Sequence, residues 1–127
     1  MKKVKSLNFI IPLVIYPFDV MVSISESDES LFAKLKKHGV DISDTNLHVY
    51  SDTQRGRCIM FKGNQTLIRM YELRDTPDWY GHLSHEIFHA VEFLMERIGM
   101  KLTSDSDEAY AYCIDYLTKE IYKKLPK

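Results

Sequence analysis

Cysteine is scarce in this 127-residue chain. There are two, Cys58 and Cys113, in apolar stretches with no paired spacing. A disulfide scaffold is therefore excluded, and reduced thiols of a cytoplasmic protein are expected. Proline and glycine are also few, four and five. That leaves no Pro/Gly-rich linker, and no repeat or low-complexity tract interrupts the chain, so residues 1–127 read as one domain. Excess charge of either sign is missing too. A net charge of −1 provides no basic surface for phosphates, so nucleic acid is not expected as a partner. No run of about 18 unbroken apolar residues exists, so no membrane span is expected.

The N-terminal "MKKVKSLNFIIPLVIYPF" has the basic start and apolar run of a signal peptide. Pro12 and Pro17 break a helical run, and Asp19 follows closely. From Phe18 the chain alternates. Phe18, Val20, Val22 and Ile24 fall on one face and Asp19, Met21, Ser23 and Ser25 on the other, as in a half-buried strand. Ser27 or a neighbour can cap a helix that buries Leu31, Phe32 and Leu35 and stops at Gly39. Leu47–Ser51 reads as a further strand. "RCIMF" and "TLIRMYEL" flank Gly63-Asn64, a two-residue hairpin turn, so they should be antiparallel neighbours.

Thr76, Pro77 and Asp78 are a helix start: a cap, a first-turn proline and an acid at the positive end of the dipole. Ile87, Val91, Leu94 and Ile98 form the core stripe of that helix, which ends at Gly99. A loop of about six residues leads to a last helix with Tyr110, Cys113, Ile114, Leu117 and Ile121 on its buried face. The two helices should pack antiparallel. Strands first and helices last read as α+β, with an antiparallel or mixed sheet of about four strands.

Inside the first of these helices lies "GHLSHEIFHAVEF". His85 and His89 are four apart, only ~40° round the helix, so their imidazoles can share one tetrahedral Zn²⁺. Glu86 is ~100° from His85 and suits a general base better than a ligand. The core stripe is a different face, so these are not core histidines. A di-iron reading of Glu86 and His89 fails, because no other Glu has His three residues on.

A catalytic zinc takes three protein ligands. His82 and Glu92 flank the pair on the same helix. Glu92 is better read as an exposed or outer-shell carboxylate. Asp105 and Asp107 fit loop or cap positions. Glu108 opens the last helix and reads two ways, as the third ligand or as one half of an Asp105-x-x-Glu108 capping box. Tyr112 is one turn on and can donate to an oxyanion. Tyr110 and His82 are weaker donors.

From about Asp78 to Leu117 the chain resembles the gluzincin metallopeptidases, through H-E-x-x-H and a glutamate on the next helix. Eighteen residues, 90 to 107, separate His89 from Glu108. The stretch "HEIFHAVEFLMERIGMKLTSDSDEAYAYCIDYL" is also similar to small phage and mobile-element proteins. The resemblance implies a minimal zincin-like fold, zinc held by His85, His89 and Glu108, Glu86 as base, and a peptide or protein substrate cleaved through a zinc-activated water. It places extended substrate along Thr66–Leu73. The family often has an acid four residues after the ligand glutamate, and Tyr112 stands there. A zinc-containing protein-binding module, as in a phage–host interaction, is the alternative. A metal-free interaction helix is the third reading.

Overall fold

A computed structural model describes residues 6–13, 16, 18–43, 55–63 and 65–126. In chain order the elements are β1 (Leu7–Pro12), β2 (Asp19–Ile24), α1 (Asp28–Lys37), β3 (Gly56–Met60), β4 (Gln65–Met70), α2 (Pro77–Arg97) and α3 (Asp107–Lys124). The fold is α+β. One mixed sheet has the order β1-β2-β4-β3, with β2 and β4 parallel and both outer pairs antiparallel. No helix among the described residues is long and apolar enough to cross a membrane.

The helices cover both faces of the sheet. Val20, Val22, Ile24, Ile68 and Met70 meet Leu83, Ile87, Val91 and Leu94 of α2 and Tyr110, Leu117 and Ile121 of α3. On the other face Met21 and Leu67 meet Leu31 and Leu35 of α1. This corrects the half-buried reading of β2. The strand is central and covered twice, so Met21 and Ser23 are as buried as Val20 and Val22.

Ends of helices follow local chemistry. The Ser27 hydroxyl accepts from Ser30 N and starts α1; Thr76 does the same for α2, accepting from Trp79 N at 3.2 Å. Each such cap contributes about 1 kcal/mol. Gly39 and Gly99 stop these helices with φ of +78° and +76°, where a Cβ would be strained. The β3–β4 hairpin forms as expected, but Phe61 N donates to Gln65 O, so three residues lie within the closing pair, not two. The strand expected at Leu47–Ser51 lies outside the described residues.

Glu26 knits the layers together. Its side chain is fully buried and accepts from Asn8 Nδ2, Ser23 Oγ, Ser30 Oγ and Lys34 Nζ. Arg69 donates to Glu26 O and pairs with Asp28 at 2.6 Å. Burial alone would raise the Glu26 pKa, but Lys34 and the other donors outweigh it and hold the carboxyl below its ordinary value. A depressed folded pKa means the network stabilises fully above the unfolded carboxylate pKa. That stability is lost as pH falls through the folded value. Glu26→Gln should therefore cost about 2 kcal/mol at neutral pH. The gap from wild type should close in acid, as read by urea denaturation across a pH series.

Candidate metal site

Helix α2 carries the motif on 21 unbroken residues. Asp78, His82, His85, His89, Glu92 and Glu96 recur at helical spacing and fall within ~40° either side of one line. That line is opposite the core stripe, so it faces solvent.

His85 and His89 converge there. Their Nε2 atoms are 3.1 Å apart, with ring centroids at 4.7 Å. Two nitrogens bound to one tetrahedral zinc at ~2.0–2.1 Å would be about 3.3 Å apart. The pair therefore stands within a few tenths of an ångström of a ligating geometry. His89 Nδ1 lies 3.4 Å from Glu92 Oε1. A carboxylate on Nδ1 favours the tautomer whose Nε2 lone pair is free for a metal, the usual outer-shell arrangement. Glu92→Gln should lower zinc affinity roughly 10–100-fold while leaving apo thermal stability nearly unchanged. Competition titration against a chromophoric chelator reads the first and calorimetry the second.

Glu86 points a different way. It is one of the few buried charged side chains, 8% exposed, and its Cγ lies 3.2 Å from where a Cβ on Gly56 would stand. Gly56 opens β3, so the carboxyl is tucked between α2 and the outer strand. Burial raises its pKa, against the lowering influence of His85, His89 and His82. Cys58, also on β3, has its thiol pushed up by burial and by Glu86, and Cys113 by burial. Both cysteines are free, as expected. Nothing in the sequence marks Gly56, because its role depends on contacts made thirty residues away.

The other expected residues do not gather here. His82 Nε2 lies 3.6 Å from Asp78 Oδ2, back along the helix. Glu108 is at the far end of α2. The helices are antiparallel as expected: the Tyr80 and Tyr122 rings are 5.7 Å apart at one end, and Tyr110 OH donates to Met100 O at the other. Helix α2 continues eight residues past His89, Ala90 to Arg97, which is about 12 Å of axis. Glu108 lies in the first turn of α3, beside that end of α2. Among the described residues no three His, Cys, Asp or Glu side chains are grouped to hold a metal ion. The capping box is not formed either; Ser106 is the N-cap of α3 and no side chain caps it. Tyr112 is 71% exposed. It rims a cavity of about 330 Å³ with Leu13, Tyr16, Met95, Ala109, Cys113 and Tyr116, a lining without His85, Glu86 or His89.

The strand proposed for substrate also changes. Residues 66–70 of Thr66–Leu73 belong to β4, which is paired on both sides, with β2 and with β3. Among the described residues β3 is the outer strand beside α2, and Glu86 lies against its first residue.

No protein-family model matches this chain, and neither the curated proteins nor the solved structures contain a significant match to it.

Proposed function

We propose that this chain is a zinc-dependent hydrolase of peptide bonds, built on a minimal zincin-like plan. The observation that carries this reading is the 3.1 Å approach of two Nε2 atoms on α2, with the buried carboxyl of Glu86 directly after the first histidine. His85 and His89 would hold the ion, and Glu92 would hold the His89 ring in the ligating tautomer. Bound zinc supplies Lewis acidity to a water and to a substrate carbonyl. Glu86 accepts a proton from the attacking water and returns it to the leaving amine nitrogen. Its place between α2 and β3 sets that proton transfer on the side where an extended peptide could pair with the outer strand. A peptide-library digest by zinc-loaded protein tests the reading. Cleavage that stops with chelation supports it, and an intact library across the pH range 5–9 counts against it.

A second reading is favoured by one observation: among the described residues no third His, Cys, Asp or Glu side chain is grouped with His85 and His89. With two ligands in place and both on an outward face, zinc would serve to grip another protein, and the chain would be a binding module. In that case Glu86→Gln would leave every biological effect intact.

A further inference from the structure

We infer that two copies of this chain share one zinc ion through four imidazoles, His85 and His89 from each, and that this dimer is a closed, hydrolytically silent form of the site. The inference rests on zinc binding by the pair as proposed above.

Within one chain only two ligands converge, and among the described residues no third joins them. Tetrahedral zinc has four places. A pair buried in a cleft could fill the others only with small molecules. This pair lies on the outward line of a straight 21-residue helix, with His85 exposed and the His89 side chain 38% exposed. A second helix can therefore lie across it. Two copies related by a two-fold axis through the ion bring the same two nitrogens from each side, which completes the tetrahedron with no change in either chain.

The axis passes midway between residues 85 and 89, level with Ile87. His82 and Glu92 are each five residues from that level, on opposite sides. The two nitrogen pairs span perpendicular edges of the tetrahedron, so the two helices cross steeply and these groups stand outside the contact. Phe88 and Phe93 flank His89 at 6.0 and 6.3 Å between rings and are half-buried, so apolar edges border the polar line.

Four imidazoles leave no place on the ion for water, so the shared form cannot hydrolyse. Excess zinc gives each chain its own ion, with water completing the set, and separates the copies. Limiting zinc holds the protein dimeric and silent; abundant zinc opens it.

The test is a zinc titration of metal-stripped, untagged protein, followed by size-exclusion chromatography with light scattering. The mass should double from 14.9 kDa at half an equivalent of zinc and return towards 14.9 kDa well above one equivalent. Glu108→Gln should follow wild type, whereas His85→Ala and His89→Ala should stay at 14.9 kDa throughout. Zinc bound one per chain at constant monomer mass would overturn the shared site and leave the proposed hydrolase standing. A dimer that persists in EDTA, or in the alanine variants, would overturn it equally. Absence of zinc binding at every ratio would remove both readings.

Discussion

Replacing either His85 or His89 with alanine is expected to abolish tight zinc binding and leave the fold in place. Each imidazole supplies one of the two nitrogens that converge among the described residues. Losing one leaves a single ligand, which does not hold zinc against buffer. The loss should exceed the roughly 10–100-fold that removal of an outer-shell partner causes. His85 is exposed and His89 half-buried, and neither contributes to the buried core. Truncation on such a surface usually shifts stability by less than about 0.5 kcal/mol. Zinc affinity and apo melting temperature therefore separate cleanly. Chelator competition on both variants measures the first and differential scanning calorimetry the second. Full zinc affinity in either variant would remove the pair from the site.

The second large effect is at Glu86. Glu86→Gln should retain zinc and lose hydrolysis by about 10²–10⁴-fold, the usual contribution of a positioned general base. The amide fills the same space against Gly56 but cannot take a proton. The same substitution should stabilise the apo protein. A carboxyl whose folded pKa is raised folds most favourably while protonated, and that advantage is lost as pH rises from the unfolded to the folded value. Once ionised the buried carboxylate opposes folding, and the neutral amide removes that cost. A gain of about 0.5–2 kcal/mol is typical where a functional group is held at the expense of stability. Slower hydrolysis with a higher melting temperature marks Glu86 as a functional residue. Lower stability with unchanged turnover would mark it as structural.

Local chemistry explains which parts of the fold could be read from the chain alone. Thr76, Pro77, Ser27, Gly39 and Gly99 act on their own neighbours, and each ends or begins a helix where its residue type demands. The β3–β4 hairpin is equally local. Strand β1 is hard to read because "LNFIIP" sets Leu7, Phe9 and Ile11 against one layer and Ile10, between Asn8 and Pro12, against the other. A segment covered on both sides shows no alternation. The parallel pairing of β2 with β4 depends on a crossover through α1, and periodicity carries no information about it.

The site divides along the same line. His85 and His89 are one turn apart, so helical geometry alone brings them together. Glu108 opens the next helix and reads as ligand or cap, and a count of eighteen residues does not say how many of them are helix. Eight extend α2 beyond His89, and α3 begins at Asp107, so the packing of the two helices decides what Glu108 faces. Tyr112 lines a cavity with Met95 and Cys113. Gly56 makes space for Glu86 through a contact between α2 and β3 that no spacing encodes.

Zinc K-edge X-ray absorption on untagged protein carrying at least one equivalent of zinc tests the central claim most directly. The account predicts nitrogen and oxygen scatterers at ~2.0–2.1 Å with the outer-shell pattern of imidazole. That pattern should be absent from a His85→Ala/His89→Ala double variant given the same metal. A sulfur shell at ~2.3 Å, placing the ion on Cys58 or Cys113, or an identical imidazole pattern in the double variant, would contradict it.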